Sequence, residues 1–562
     1  MLQHCNLAEG RRVKVILILA MAAIPFSSIT LEGQKTTAAG GAVAGVIKNA
    51  SGQPVAGAMV KVKNPNLGLS FMVVSQAQGQ YNTPELVPGK YTVQGFGGGY
   101  QSELAGPVEV GGGQEKMDLV LSAPLQASNS TKPKAAPDYA AMIPDGDAKK
   151  IIMTRCVICH GVERIAPARF SREDWQNIVE RMSLFIGERA DLQKKYHVGS
   201  LSDQEAGLLV DFLTTHFGPN TPPSREKRVT GPNDNMPATF LQGPQTKFVA
   251  MELDRQGRSQ VYDIAPDSQG TAWVSGRQGA NGVLSRFDKK SATFSTISLP
   301  PDKTSSLLGG LAVDLQGRVW ISDRDPKNFR WLQYNPNTNE FTAYDIPALQ
   351  KLPPSVWKLY GNVNTMAFTP DGSVWGAGNT SSRILKLDPI TRKITEYPVL
   401  LGSHPHGMTI GGDKAIWYAA IVGQEVVRLD PQTGEMTHYQ TNVPNAGSRM
   451  AADADGNLWI VSRATGQLIK VDYRTGKVTQ YTPPSKDGGP FAVDADKKRN
   501  LIWFDESNAG NIARFDPRND TFVEFPLLSA GTDVFSMKID PTNSNRVWWS
   551  APNKIGYFEA RD

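Results

Sequence analysis

The residues best spaced for chemistry are Cys156, Cys159 and His160. They form the pattern Cys-Val-Ile-Cys-His, in which two residues separate the cysteines and a histidine follows directly. This is the attachment pattern of c-type haem: each thiol adds to one vinyl group, and one helical turn spans both vinyls. The adjacent histidine then reaches the iron from the same face. We expect one haem c per chain, with His160 as the proximal iron ligand.

The same pattern has two other interpretations. A Cys-x-x-Cys pair can be a thiol–disulfide redox centre, or it can supply half of a zinc site. Structural zinc takes four ligands, and the only further cysteine, Cys5, precedes an N-terminal apolar run. A chain that loses Cys5 with a cleaved leader keeps two cysteines. That number excludes a disulfide scaffold and favours haem attachment.

The second axial ligand is sought among nearby methionines and histidines, which are the usual haem ligands. Met182 follows an apolar helical stripe, His197 lies in a Tyr-His-Val loop, and His216 ends a predicted helix. Met182 can also be a core methionine, and either histidine can be a solvated surface residue. An open coordination position is the remaining alternative.

The haem motif lies in residues 141–218, where apolar residues recur at helical spacing. One helix is predicted to begin at Ser171, with Asp174 three residues later as a capping-box-like pair. Another is predicted to begin at Ser202, with Glu205 in the same place. Three short helices bury little core by themselves, so a bound haem would supply the missing apolar centre.

This segment resembles small monohaem cytochromes of the sulfite-dehydrogenase type. The likeness rests on the phrases MTRCVICHGVERI, WQNIVERM and LLVDFLTTHFGP. In that family the methionine of the W-x-x-x-V-x-x-M pattern is the distal iron ligand. The resemblance therefore implies this role for Met182, with His197 as the runner-up, and it implies electron transfer as the function of the segment.

The N-terminus predicts an export signal within residues 1–30. Arg11, Arg12 and Lys14 precede the apolar run 15–26, which is long enough for a signal peptide and short for a membrane span. We expect a periplasmic or secreted protein. The alternative is an uncleaved N-terminal anchor that holds the protein on the membrane, facing the periplasm. We expect no transmembrane segment beyond this signal.

Length and charge narrow the class of protein. A chain of 562 residues predicts several domains, and 53 glycines with 38 prolines favour turn-rich β structure. Lysine and arginine number 59 against 54 aspartates and glutamates, a formal charge of +5. That surplus is too small and too widely spread to indicate a nucleic-acid partner.

Residues 41–122 are predicted to form a small β-sandwich, because short valine-rich runs alternate with turn signals. The phrases GVIKNASGQPVAGAMVKV and QGQYNTPELVPGKYTVQ resemble carboxypeptidase regulatory-like domains. The resemblance implies a module that binds neighbours or carbohydrate. The polar, proline-containing segments 123–140 and 219–245 are expected to be linkers on either side of the haem segment.

Residues 246–562 contain a repeat of 42 to 55 residues, in which a tryptophan recurs near the end of similar strands. Self-similarity at this period predicts a seven-bladed β-propeller with the tryptophans in the blade cores. The predicted fold is thus multidomain and mainly β, with a small all-α cytochrome c domain between the sandwich and the propeller. The repeated residues are Trp273, Trp320, Trp375, Trp417, Trp459, Trp503 and Trp548.

The repeats resemble the streptogramin lyase family, which includes virginiamycin B lyase, in the phrases GSHPHGMTI and LIWFDESNAGNIARFDP. Family members open antibiotic rings by elimination, with histidines and a glutamate around magnesium at the propeller mouth. We expect the position before each blade's first strand to face this mouth. By sequence spacing it holds Asn364, His406, Ser448, Gly489 and Phe535.

The resemblance makes His404, His406 and Glu506 candidates for catalysis, and it implies magnesium only if the protein is a lyase. The set departs from the family pattern, because Asn508 stands where a histidine would follow Glu506. His404 and His406 can instead be a loop pair with structural hydrogen bonds.

Three functions fit these observations. The first is an exported c-type cytochrome for electron transfer, whose propeller binds a redox partner protein or a small-molecule substrate. The second is an enzyme, lyase-like or of another kind, whose site is the propeller mouth and which is coupled to the haem. The third is a haem-based sensor of redox state or of a gas. The first rests on the Cys-x-x-Cys-His motif, the most specific feature of the sequence.

Overall fold

The structure is a computed structural model, and it is mainly β, with 47% of the described residues in strands and 12% in helices. Cys159, His160 and the predicted signal lie outside the residues that it describes. The described residues are 40–125, 140–156, 165–166, 168–188, 193–194, 197–221, 236–255, 260–325, 328, 330–346, 363–379, 381–400, 403–485 and 488–561.

The first domain is a sandwich of two β-sheets. Its strands carry alternating apolar residues, whose buried members fill the space between the sheets. One sheet contains β1 (Ala42–Asn49), β4 (Gln80–Asn82), β8 (Gln114–Lys116) and β9 (Leu119–Leu121). The other contains β2 (Met59–Asn64), β3 (Leu69–Val74), β5 (Gly89–Gly97), β6 (Tyr100–Gln101), β7 (Ala105–Val110) and β10 (Ala123–Pro124).

The second sheet of the sandwich continues into the propeller. Strand β3 pairs antiparallel with β11 (Phe248–Asp254) over five residues, and β11 pairs in turn with β38 (Lys554–Ala560). Strand β11 is therefore the outer strand of blade seven, whose other strands are β36 (Ser536–Asp540), β37 (Asn543–Ala551) and β38. The sandwich and blade seven share one ten-stranded sheet, so backbone hydrogen bonds hold the two domains together.

Blades one to six are antiparallel four-stranded sheets in chain order. Blade one has β12 (Gln260–Pro266), β13 (Ala272–Gln278), β14 (Asn281–Asp288) and β15 (Thr293–Ile297); blade two has β16 (Leu308–Val313), β17 (Val319–Asp323), β18 (Arg330–Asn335) and β19 (Glu340–Asp345). Blade three has β20 (Val363–Phe368), β21 (Val374–Gly378), β22 (Arg383–Leu387) and β23 (Ile394–Pro398); blade four has β24 (Pro405–Ile410), β25 (Ile416–Ala420), β26 (Glu425–Leu429) and β27 (Met436–Gln440). Blade five has β28 (Ala446–Ala452), β29 (Leu458–Ser462), β30 (Leu468–Val471) and β31 (Val478–Tyr481); blade six has β32 (Val493–Asp496), β33 (Leu501–Glu506), β34 (Asn511–Asp516) and β35 (Thr521–Pro526).

The seven blades close into a ring around a central channel. The first strand of each blade contacts the first strand of the next, and β36 of blade seven contacts β12 of blade one. All seven repeated tryptophans are at most 2% exposed, which confirms that they are blade core. Most donate their indole N–H to an aspartate in the preceding turn, as Trp320 does to Asp314 at 2.8 Å.

A small helical module lies between the sandwich and the propeller in the chain. It contains α1 (Asp147–Ile151), a π-helical turn (Ile152–Cys156), α2 (Arg172–Glu188) and α3 (Asp203–Phe217). Helix α3 begins as expected with a capping box, in which Ser202 Oγ accepts from the Glu205 amide and the Glu205 carboxylate accepts from the Ser202 amide.

The module has an apolar core of its own. Residues from all three helices and from the turn at 165–166 pack together, with Trp175 and Leu213 among those that are almost fully buried. The side chain of Arg155 forms a 2.9 Å ion pair with Glu205, which ties the π-helical turn to the start of α3. None of the helices among the described residues combines the length and the apolar character of a bilayer span.

The chain leaves the sandwich for the helical module and returns from it at a single place. The amide of Leu125 donates to the carbonyl of Gly99 at 2.8 Å on the outward path. On the return path, the ring of Phe240 lies against Gly97 and Gly98, and a Cβ on Gly99 would be 3.8 Å from the carbonyl of Ala238. The module is therefore an insertion whose two ends meet at the tight turn between β5 and β6.

Candidate functional site

The residues expected to hold haem lie in the helical module, where Cys156 is the described member of the motif. Cys156 ends the π-helical turn, and its partly buried side chain packs against the module's apolar core. Met182 is half-buried on α2, whereas His197 is exposed in a left-handed backbone conformation, with φ 54°. His216 is exposed near the end of α3, with its ring 4.6 Å from that of Phe212.

The second candidate site is the channel mouth, at the end of the propeller where the first strand of each blade begins. Strand register identifies the equivalent residue of each blade, because every first strand pairs with the strand that bears the repeated tryptophan. Blade six pairs Asp494 with Trp503, as blade four pairs Thr409 with Trp417. The seven equivalent positions, from blade one to blade seven, are Tyr262, Gly309, Asn364, His406, Ser448, Phe491 and Phe535.

This register corrects one expectation from sequence spacing. Blade six holds Phe491 at the mouth position, and Gly489 is two residues earlier, at the position that corresponds to His404. Equal spacing along the chain misses Phe491 because the turns between blades differ in length. Gly489 and His404 both have φ of 60°, a conformation that costs a histidine about 1 kcal/mol or more.

The floor of the mouth is a buried ion pair that crosses the channel. Nη2 of Arg449, in blade five, is 3.5 Å from Oδ2 of Asp263, in blade one. Nε of Arg449 also donates to the carbonyl of Phe535 at 3.3 Å. Both charged side chains are less than a tenth exposed. The pair connects blades five, seven and one across the channel.

Aromatic rings form one wall above this floor. The ring centroids of Phe491 and Phe535 are 6.0 Å apart, and the His406 ring stands edge-on to Phe491 at 6.1 Å. The guanidinium of Arg463 lies 5.8 Å from the Phe491 ring and pairs with Asp533 at 2.9 Å. These rings are partly exposed, so a ligand that enters the mouth meets them.

A buried hydrogen-bond network fixes the two phenylalanines. The carboxylate of Asp505 accepts from the amides of Phe491, at 2.8 Å, and Ala492, at 2.7 Å. The Ser507 hydroxyl donates to Asp505 at 2.5 Å and accepts from the amide of Val534, the residue before Phe535, at 2.9 Å. Burial raises the pKa of Asp505 to about 6, and these hydrogen bonds oppose that effect.

Of the three catalytic candidates, two are at the mouth and one is buried. His404 and His406 are at the mouth, with ring centroids 6.3 Å apart. Glu506 ends β33 in blade six and is fully buried, beneath Gly488. Burial, and then the charge of Glu524, raise the pKa of Glu506 to about 9. Glu506 therefore carries a proton at neutral pH and lies below the surface that a ligand would contact.

The described residues contain no group of three or more His, Cys, Asp or Glu arranged to hold a metal ion. Sequence reasoning found His404 and His406 at the mouth, but it missed Arg449, Asp263 and Asp505. No local pattern distinguishes these charged residues from the many others of the blades. Their roles depend on contacts between blades that are far apart in the sequence.

Two family models match the chain. Residues 42–122 match the carboxypeptidase regulatory-like domain, and residues 355–562 match the virginiamycin B lyase family. The second match covers fewer than half of the 562 residues and takes in blades three to seven. No curated protein matches the chain.

Solved structures with a similar fold include virginiamycin B lyase from Staphylococcus aureus, at 20% identity over 56% of this chain and 99% of that one, with a TM-score of 0.47. A streptogramin B lyase is 23% identical over 57% of this chain and 100% of its own, with a TM-score of 0.49. Hydrazine synthase from Kuenenia stuttgartiensis is 13% identical over 54% and 96%, with a TM-score of 0.43. Residues 42–122 are thus similar to carboxypeptidase regulatory-like domains, and blades three to seven of the propeller are similar to the virginiamycin B lyase family.

Proposed function

We propose that this protein is an exported electron-transfer protein with one covalent haem c, whose propeller binds a small-molecule substrate or a redox partner. The proposal is carried by the Cys-x-x-Cys-His motif, which begins at Cys156 on the apolar core of a small helical module. Cys156 and Cys159 would form the thioether bonds, and His160 would bind the iron. When bound, such a haem supplies reversible one-electron transfer.

The described part of the module fits this group. Met153 and Cys156 both belong to the π-helical turn, three residues apart. Met153 is 39% exposed and Leu208, on α3, is 44% exposed, although both are large and apolar. A haem attached at Cys156 would bury apolar surface of this kind, which favours its binding.

Met182 is the residue that we propose as the distal iron ligand. It lies on α2, whose neighbouring residues Trp175 and Val179 belong to the module's core. The expected result is a methionine–iron charge-transfer band in the oxidised protein that is lost in Met182→Ala. His197→Ala is the matched control and should keep the band. A wild-type spectrum without the band, together with a changed haem spectrum in His197→Ala, would assign the ligand to His197 instead.

The first test of the proposal is a redox titration of the full-length protein recovered from the periplasm of a host that makes c-type cytochromes. We expect a haem absorption spectrum that changes reversibly between two states, with one electron taken up per chain. Recovery of the protein from the periplasm without haem, or a haem spectrum that does not respond to reductant, would contradict the proposal.

A lyase-like enzyme at the mouth is the second candidate function. It is favoured by the family match over blades three to seven and by His404, whose left-handed backbone is held directly beside His406. In this case His406 would act as the base of an elimination, and magnesium would be required. Turnover of a streptogramin that His406→Ala abolishes would support this candidate, and absence of turnover with added magnesium would reject it.

A further inference from the structure

Arg324, at the mouth end of blade two, has an aromatic partner and no carboxylate partner among the described residues. The guanidinium of Arg324 stacks on the ring of Tyr262, with Cζ 4.4 Å from the ring centroid. No carboxylate of the described residues is within ion-pair distance of it, whereas Arg449 pairs with Asp263 and Arg463 with Asp533. Within the described part of the chain, the positive charge of Arg324 therefore has no counter-charge.

The mouth is built to hold Arg324 in this place. The equivalent position of blade two is Gly309, and a Cβ there would lie 2.3 Å from Cδ of Arg324. The aliphatic part of Arg324 thus occupies the space that a side chain at position 309 would fill. The glycine lets a residue from the end of β17 serve as the mouth residue of blade two.

Arg324 continues an arc of aromatic residues around the mouth. Phe491, Phe535 and Tyr262 belong to blades six, seven and one, which are neighbours in the closed ring, and Arg324 belongs to blade two. All four side chains are partly exposed. Ring faces bind planar aromatic groups, and an unpaired guanidinium binds a carboxylate through parallel hydrogen bonds.

We propose that the propeller mouth binds an aromatic carboxylate, with its ring on the Phe491–Phe535–Tyr262 arc and its carboxylate on Arg324. This inference rests on the proposed function in one respect, namely that the propeller gathers a small molecule for the protein. It adds the chemical class of that molecule. A neutral aromatic compound would lack the ion pair, and an aliphatic acid would lack the ring contact.

The test is calorimetric titration of the full-length protein with three probes of similar size. These are 2-naphthoate, the neutral 2-naphthylmethanol and the saturated decahydronaphthalene-2-carboxylate. We expect 2-naphthoate to bind about tenfold or more tighter than either of the others, since each lacks one of the two contacts. Equal affinity for 2-naphthoate and 2-naphthylmethanol, or no binding of 2-naphthoate at millimolar concentration, would overturn the proposal.

Variants assign the two contacts. Arg324→Gln should weaken 2-naphthoate about tenfold and leave 2-naphthylmethanol unchanged, and Arg324→Lys should keep part of the affinity for the acid. Phe491→Ala should weaken both compounds. Arg474→Gln is the matched control, because Arg474 also stacks on a tyrosine, Tyr473, at 4.3 Å, but in a turn at the opposite end of the propeller. If Arg324→Gln binds 2-naphthoate as Arg474→Gln does, the proposal is wrong.

The outcome is independent of the haem. The same titration of Cys156→Ala/Cys159→Ala should give the same affinity for 2-naphthoate. A wild-type protein that is recovered without haem and binds 2-naphthoate would contradict the electron-transfer proposal alone. A haem-bearing protein that does not bind it would contradict the assignment of the ligand alone.

Discussion

Arg449 and Asp263 are 186 residues apart in the sequence, and their side chains meet at 3.5 Å across the propeller channel. Asp263 also accepts from the backbone amides of Ile264, at 2.9 Å, and Leu311, at 3.1 Å. The pair therefore does more than neutralise two buried charges. It connects blades five and one across the ring and fixes the residues that follow the mouth positions of both blades.

We expect Asp263→Asn to destabilise the protein by about 3 kcal/mol, because it leaves the buried charge of Arg449 without a counter-charge. Asp533→Asn is the matched control, since Asp533 pairs with Arg463 at the rim, where the two side chains are 42% and 31% exposed. It should cost less than about 1 kcal/mol. Urea unfolding measures the loss of stability in each variant. Equal losses would show that the Arg449–Asp263 pair stabilises the protein no more than the exposed pair at the rim does.

The pairing of β11 with β38 should not tolerate a larger side chain at Gly556. A Cβ on Gly556 would lie 2.3 Å from the Trp549 side chain and 2.4 Å from the carbonyl of Met251. Gly556→Ala should therefore cost about 2 kcal/mol in unfolding free energy. Gly111→Ala is the control, because a Cβ there meets no atom within 4 Å. An unchanged stability of Gly556→Ala would contradict the tight packing of blade seven.

Glu506 should make the free energy of unfolding depend on pH between about 4.5 and 9. Its pKa is about 9 in the folded protein, against an ordinary value of 4.5. Between these values the folded chain binds a proton that the unfolded chain lacks, so stability falls as pH rises from 4.5 towards 9. Glu506→Gln mimics the protonated form and should remove this fall.

The measurement is the thermal midpoint of the wild type and of Glu506→Gln at pH 5 and at pH 9. The variant should gain over the wild type at pH 9 and match it at pH 5. Glu340→Gln, at an exposed strand position, should leave the difference between the two pH values unchanged. Parallel profiles of the wild type and Glu506→Gln would mean that Glu506 is ionised in the folded protein.

Deletion of the helical module should leave the sandwich and the propeller folded. Its two ends meet at the turn Gly97–Gly99, and the sandwich and the propeller are joined without it by the pairing of β3 with β11. Replacing residues 126–235 by a short glycine–serine linker should leave a protein that unfolds in one transition, with a midpoint within about 5 °C of the full chain. Two separate transitions, or aggregation, would show that the module supports the rest of the fold.

Repetition made much of this fold predictable. The seven tryptophans indicated seven blades, and Ser202 with Glu205 indicated the start of α3, because both signals are local and recur at fixed spacing. The pairing of β3 with β11 was not predictable, since two edge strands far apart in the sequence can join in many ways. The role of Arg324 was not predictable either, because it depends on the absence of a side chain at Gly309 in the adjacent strand.

The measurement that tests the account most directly is the mass of the denatured chain of exported protein. We expect one haem to remain bound to the wild-type chain after denaturation and to be absent from Cys156→Ala/Cys159→Ala, because the two thioether bonds are the only proposed covalent links. A wild-type chain that loses all haem on denaturation would contradict the central claim. A double variant that keeps covalent haem would contradict it equally.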